Sequence, residues 1–279
     1  MGLLGGSATL AIKRALTKVR TVGCSHRPAT RTKARKLNIA DLVTANLTSA
    51  VAEADLIILA TPISTFEKTF AEIAQHLKPG TIVTDVGSTK LIPMKWAKKH
   101  LPKTVNYIGS HPIAGSEKKG VEFARDDLFY NARCILTPDS SSNKNAVKTL
   151  TNFWQTLGSN VTVMTPAKHD KIFADVSHLP HILAASLINA SDFEELKFAG
   201  KGFIDTSRIA SGPANIWTDV LNTNSANCLK GIDRVIRELE KIKNAINKKN
   251  TKKIAGLLEN ARAKRSKLIN YKMKKKELL

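Results

Sequence analysis

Short apolar runs alternate with helical stretches along the first 165 residues of this chain, and no other feature constrains its fold as tightly. Val19–Cys24, Leu56–Ala60, Thr81–Asp85, Val105–Ile108, Ala132–Pro138 and Asn160–Met164 each read as strands. They are short, largely rich in β-branched residues and often bounded by Gly, Pro or polar residues. Helical periodicity separates several of them, over Ala8–Lys18, Thr65–His76 and Asn143–Leu157. Strands interleaved with helices predict an α/β fold, a Rossmann-like doubly wound parallel sheet with helices on both faces. After Pro166 the strand patterns cease and almost only helical periodicity remains, broken near Gly200-Lys201-Gly202 and Ser211-Gly212-Pro213. The domain boundary is therefore expected near Thr165. Residues 1–165 would form the dinucleotide-binding domain, and residues 166–279 an all-helical domain with a basic tail.

In parallel sheets of this kind, ligands bind outside the C-terminal ends of the strands. Ends at Cys24, Ala60, Asp85 and Ile108 would place Thr61, with Pro62 after it, Ser88 and His111 beside one crevice. His111 opens the run His111-Pro112-Ile113-Ala114-Gly115-Ser116-Glu117, which cannot continue a helix, and is expected on a loop after the Val105–Ile108 strand. Imidazole is the side chain best suited to moving a proton near neutral pH.

The first residues read MGLLGGS, and Gly2 and Gly5 have the spacing of the last two glycines of G-x-G-x-x-G. Gly2, Leu3, Leu4 and Gly5 would then form the turn that cradles a pyrophosphate, while the strand and first glycine that belong before it are missing. Either the natural start lies upstream or this copy has lost its first strand. The next strand ends in Ser25-His26-Arg27, where an NAD site commonly carries an acid for the ribose 2′-hydroxyl. No acid occurs before Asp41, and Ser25, Arg27 and Arg31 would suit a 2′-phosphate, unless both arginines are simply exposed helix residues. The NADP reading is weakly favoured over NAD.

The helical half carries its own constellation. Ser177-His178-Leu179-Pro180-His181 puts two imidazoles three residues apart, on one helical face. Asp205-Thr206-Ser207-Arg208 places a guanidinium near a helix break, suited to gripping a carboxylate. With no HExxH and no third ligand in pattern, a substrate-binding pair is favoured over a metal site. The scattered Cys24, Cys134 and Cys228 read as reduced thiols in a cytoplasmic protein.

The formal net charge of +21 raises nucleic acid as a partner. From Lys230 onward the chain holds 17 Lys/Arg against 5 Asp/Glu, with no aromatic-rich RNA motif, zinc finger or recognition helix beside them. A solvated basic face is the better reading. Residues 1–40 hold nine Lys/Arg and no acid, but they join the domain pattern without a break and are not read as a transit peptide. Gly6 occupies the position where a myristoylation signal needs Ser or Thr. No apolar run reaches the length of a membrane span.

Taken in order, GLLGGS, LATP, TDVGSTK, GSHPIAGSE, SHLPH, GFIDTSRIA and the following Trp217 resemble the prephenate/arogenate (cyclohexadienyl) dehydrogenase family of tyrosine biosynthesis. The resemblance runs from Gly2 to about Glu259. It implies oxidative decarboxylation of prephenate or arogenate, to 4-hydroxyphenylpyruvate or tyrosine, with hydride transfer to NAD(P)+. It further implies that His111 takes the proton of the C4 hydroxyl and that Ser88 orients it. Arg208 would hold a substrate carboxylate, His178, His181 and Ser177 would shape the pocket, and Glu117 would join its polar network. A homodimer through the helical domain follows from the same resemblance. Two other readings stand beside it, a catalytically impaired remnant lacking the first strand and a basic nucleic-acid-binding protein.

Overall fold

The computed structural model describes residues 1–114 and 118–275, which divide into two compact units, Met1–Cys228 and Leu229 onward. Eight strands lie in the first unit: β1 (Val22–Cys24), β2 (Leu42–Thr44), β3 (Leu56–Leu59), β4 (Ile82–Asp85), β5 (Asn106–Tyr107), β6 (Gly109–Pro112), β7 (Arg133–Thr137) and β8 (Asn160–Val163). β1 pairs with β2, β3 with β4, β4 with β5, and β7 with β8, all in parallel. This is the Rossmann-like parallel arrangement expected from the alternation.

β6 departs from it. His111 does not sit on a loop, as the proline after it predicts; it lies within β6, antiparallel to β7 and opposite Ile135. The residue before proline is biased towards extended backbone, which a strand satisfies as well as a loop does. β2 escapes the pattern altogether, because three residues are too few to show a period.

The first helix spans Leu3–Ala15, earlier at both ends than Ala8–Lys18. Gly2 is its extended N-cap, and the Gly6 amide already donates to the Gly2 carbonyl at 2.8 Å. Leu3, Leu4, Ala8, Ala11 and Ile12 of this helix pack with Leu56, Ile58 and Ala60 in the main core. Met1 and Leu10 pack instead against Ala34, Ile39, Ala40 and Val43. One helix thus covers both the β1–β2 pair and β3. Among the described residues no strand pairs with β1 or β3 on the side facing away from β2 and β4. The Met1 ammonium group donates to the Cys24 carbonyl at 2.9 Å, and burial lowers its pKa.

From Pro166 onward the described structure is helical: Pro166–Phe173, Leu179–Asn189, Phe193–Leu196, Lys201–Ser207, Ala214–Thr223, Ser225–Asn247 and Thr251–Lys274. Ala174–His178 forms a π-helical turn between the first two, a widened turn often found at functional sites. Within the first unit, side chains tie the Ala214–Thr223 helix to the segments that follow β3 and β4. Asp219 Oδ2 accepts from the Ser64 amide at 3.0 Å and its hydroxyl at 2.8 Å, and the Thr89 and Thr223 hydroxyls meet at 2.8 Å. In the second unit Asn250 caps the last helix by accepting from the Lys253 amide at 2.9 Å.

Candidate active site

The site is built outward from the end of β4. Asp85 and Lys90 are fully buried and form an ion pair. Asp85 also accepts from the Tyr107 hydroxyl and the Gly87 amide, both at 2.7 Å, so its charge is satisfied on several sides. Lys90 Nζ donates to the Ser110 carbonyl at 2.7 Å, and the Ser110 hydroxyl meets Thr84 Oγ1 at 2.6 Å and Trp154 Nε1 at 3.0 Å. These bonds clamp β6 on both sides of one residue and so fix where His111 projects.

His111 Nδ1 lies 2.8 Å from His169 Nε2, and His169 Nδ1 lies 2.8 Å from Asp170 Oδ1. Asp170 in turn accepts from the Lys90 amide at 2.8 Å and the Leu91 amide at 2.9 Å, at the N-terminus of the Leu91–His100 helix. A carboxylate is stabilised at that end by the helix dipole. Phe173 stacks on His169 at 4.5 Å and 20° and tilts against His111 at 4.8 Å. Burial holds the His111 pKa well below the usual imidazole value, with His169 and Lys90 adding to the effect. His169 is also lowered by burial, against the upward pull of its bond to Asp170.

Two further imidazoles come from the helical part of the same unit. His178 is buried at the end of the π-helical turn, its Nδ1 facing Asn224 Nδ2 at 3.1 Å and Cys228 Sγ at 3.8 Å. An amide nitrogen only donates, so the His178 proton sits on Nε2, which has no hydrogen-bond partner although it is buried. Burial brings the His178 pKa down to about 4. His181 stacks on Trp217 with ring centres 3.6 Å apart and planes within 7°, and its Nδ1 is likewise buried without a partner. Unsatisfied buried ring nitrogens cost free energy unless a ligand completes them.

The remaining residues singled out from the sequence are placed as follows. Ser88 and Ser177 are half-buried, and no hydrogen bond joins Ser88 to His111 among the described residues. Arg208 is exposed and opens the turn Arg208–Ser211. Thr61 and Pro62 are exposed at the end of β3, where Thr61 Oγ1 meets Thr65 Oγ1 at 2.8 Å. Glu117 lies outside the described residues. Ser25 is buried, Arg27 is exposed, and Arg31 Nη1 donates to the Ser25 and His26 carbonyls, both at 2.9 Å. A Cβ placed on Gly2 would meet no atom within 4 Å, whereas one on Gly5 would come within 2.9 Å of Ala60 Cβ. A cleft of about 470 Å³ opens beside this turn, lined by Leu3, Ile113, Ala114, Phe123, Arg125 and Leu128 among others.

Sequence reasoning missed His169, Asp170, Lys90 and Asn224. A His-Asp dipeptide three residues after Pro166 is the visible signal for the first two, although in the sequence it reads only as the start of a new domain. Lys90 and Asn224 give none, because their roles depend on burial. Among the described residues no cluster of three or more His, Cys, Asp or Glu side chains could hold a metal ion, and no helix is long and apolar enough to cross a membrane.

Comparison with known proteins identifies the family. Residues 8–163 match the family model described as prephenate dehydrogenase, nucleotide-binding domain, and residues 165–260 match prephenate dehydrogenase, dimerization domain. The prephenate dehydrogenase of Bacillus subtilis (strain 168) is 37% identical over 250 residues, covering 87% of this chain and 67% of that protein. A crystal structure of prephenate dehydrogenase from A. aeolicus, in complex with hydroxyphenyl propionate and NAD+, superposes with a TM-score of 0.88 at 31% identity, covering 96% of this chain and 95% of that one. Synechocystis arogenate dehydrogenase superposes at 0.82 with 30% identity, covering 96% and 97%. The chain, with its nucleotide-binding Rossmann-like half and its helical half, belongs to the prephenate dehydrogenase family of oxidoreductases.

Proposed function

We propose that this protein catalyses the oxidative decarboxylation of prephenate, arogenate or both, with hydride transfer to NAD(P)+. The observation that carries the reading is His111. It is clamped at the crevice by its Nδ1, while its other ring nitrogen has no hydrogen bond among the described residues. That nitrogen is suited to take the proton of the C4 hydroxyl as the oxygen gains carbonyl character. His178 offers a buried, unpartnered Nε2–H to a substrate oxygen, and His181 on Trp217 forms a flat wall beside it. Arg208 holds a substrate carboxylate, Ser88 contacts the reacting hydroxyl, and Ser177 and Glu117 complete the polar lining. Loss of the ring carboxylate as carbon dioxide then aromatises the ring, which makes the reaction strongly downhill.

The residues present fit a dinucleotide. Open space at Gly2 admits a pyrophosphate, and close contact at Gly5 seats the helix on β3, the two duties such glycines perform. The first amides of the Leu3–Ala15 helix would face the phosphates there. When bound, the nicotinamide supplies the hydride acceptor. At the adenosine end, Arg31 is held by two carbonyls, so Arg27 is the guanidinium left for a 2′-phosphate, and no carboxylate precedes Asp41. NADP+ is therefore the preferred form. The division near Thr165 puts the cofactor-binding residues with His111 and Ser88 on one side and Ser177, His178, His181 and Arg208 on the other, and the helical part forms a homodimer. Support for the dimer comes from Leu229, Ile236, Leu239 and Ile246, apolar side chains exposed on the Ser225–Asn247 helix.

The test is reduction of NAD+ or NADP+ by the purified protein with each substrate. Turnover is expected, with a lower KM for NADP+. His111→Asn should abolish turnover nearly completely while substrate still binds, and Arg208→Ala should raise KM for substrate. Ordinary turnover in His111→Asn would remove the base from this mechanism.

A further inference from the structure

The bonds around His111 have a direction, and it is set at their far end. Asp170 receives two backbone amides, from Lys90 at 2.8 Å and Leu91 at 2.9 Å, and a carboxylate so placed is an acceptor only. Its contact with His169 Nδ1 at 2.8 Å must then be donated by the imidazole. A neutral His169 with its proton on Nδ1 presents Nε2 as an acceptor. His111 Nδ1, 2.8 Å away, must therefore carry a hydrogen. The lone pair of His111 is left on Nε2, where the reading of His111 as a base requires it.

We propose that His169 and Asp170 are positioning residues that act through His111: they select its base-competent tautomer and receive the positive charge once it has taken the substrate proton. The inference rests on the proposed dehydrogenase function and deepens it. In the step envisaged, the substrate O–H bond breaks and an N–H bond forms at His111 Nε2, the electron pair remaining with the oxygen as the carbonyl develops. The His111 Nδ1 proton then passes to His169 Nε2. The resulting imidazolium keeps its Nδ1–H on the Asp170 carboxylate. One proton moves at each end, and no electron moves within the relay.

The surroundings favour this destination for the charge. Lys90, which pairs with Asp85, disfavours a positive charge on either ring, but His178 acts against one on His111, whereas Asp170 and Asp85 both favour one on His169. Tyr107 is held by Asp85, and Cys134, on β7, pairs across from Pro112 next to His111. From the Pro166–Phe173 helix come His169 and Asp170 themselves, and Cys228 reaches only as far as His178. Asp170 is the one carboxylate bonded to either ring among the described residues. Burial depresses His111 further than His169, whose bond to Asp170 works the other way. Phe173, stacked on one ring and tilted against the other, limits the rotation of both.

The experiment has a spectroscopic arm and a kinetic arm. In protein labelled with 15N at histidine, without ligand, His111 should show a protonated Nδ1 and a bare Nε2. His169→Ala should shift the proton towards Nε2, and so should Asp170→Asn, whose amide nitrogen turned towards His169 would donate where the carboxylate accepted. Asn keeps one acceptor oxygen for the backbone amides, whereas His169→Ala leaves both amides on Asp170 and guards against loss of the fold. His169→Gln offers an amide oxygen to His111 Nδ1 and should restore the tautomer, but it cannot take up a proton. With prephenate or arogenate, Asp170→Asn and His169→Gln should lower kcat by about 100-fold while KM changes by less than about threefold. In Asp170→Asn the acid limb of the kcat profile should move to lower pH, because His169 has lost the anion that favours its protonated form.

An unchanged tautomer in His169→Ala and Asp170→Asn would overturn the proposal. Full kcat in His169→Gln would overturn the charge-accepting half of it. Absence of turnover in the wild-type protein, with the Nδ1–H tautomer present, would instead count against the proposed function and leave the tautomer selection standing.

Discussion

At the scale of single residues, the Asp85–Lys90 pair supports the site without facing substrate. Both side chains are fully buried, and removing one member of such a pair strands the other charge, at a cost of about 3–5 kcal/mol. Asp85→Asn should therefore lower unfolding free energy by that amount in urea titrations; a loss under about 1 kcal/mol would show that Lys90 finds another partner. The buried histidines give the protein an acid sensitivity with a definite sign. His111, His169, His178 and His181 all have lowered pKa values in the folded state, so at mildly acidic pH the unfolded chain binds more protons. For His178 the associated stability is full above about pH 6.5 and is lost as pH falls towards about 4. His178→Gln should flatten the decline of urea midpoints over that window, and an equally steep decline would exclude His178 as a contributor. Three imidazoles of the candidate site, those of His111, His178 and His181, were legible in the sequence. His111 precedes a proline, and SHLPH and DTSRIA carry residues of evident chemistry. The relay and the ion pair were not, since neither His169 nor Lys90 differs from a surface residue until burial is known.

At the scale of elements, the Leu3–Ala15 helix depends on its glycines for approach. A methyl group on Gly5 would sit 2.9 Å from Ala60 Cβ, so Gly5→Ala gains about 1 kcal/mol of helix propensity but meets an overpacking cost of about 1–3 kcal/mol. The net effect should be a fall of a few degrees in melting temperature, read by calorimetry; a rise would mean that helix and strand separate freely. The strand-and-helix alternation was readable because β3, β4, β7 and β8 are apolar runs of ordinary length. β2 is too short to be read, and the reversal at β6 depends on β7, a pairing partner more than twenty residues further on that local pattern cannot reveal. The elements are trimmed at Leu16–Lys18 after the first helix and at Val19–Thr21 before β1, a stretch where most side chains face solvent and only Thr21 is held across to the next strand, its carbonyl accepting from the Leu42 amide at 3.1 Å.

At the scale of the whole molecule, charge and apolar surface meet in the second unit. The Ser225–Asn247 and Thr251–Lys274 helices carry many lysines and arginines, yet Leu239, Ile246, Leu258 and Leu268 are each more than half exposed. If a homodimer covers the first of these helices, Leu239→Asp should halve the mass seen by light scattering, and an unchanged mass would place the interface elsewhere. The gap between β1 and β3 also has a consequence for how the protein opens. A sheet joined by a continuous hydrogen-bonded ladder unfolds as one cooperative block, whereas here β1–β2 and β3–β5 share a covering helix and the contact of Met1 with Cys24 rather than a common strand. Proteins release such weakly coupled parts as separate units, at free energies well below that of global unfolding. The β1–β2 pair with Ser25, where we propose that the adenosine of the cofactor is held, can accordingly loosen and close again while the clamp around His111 stays folded.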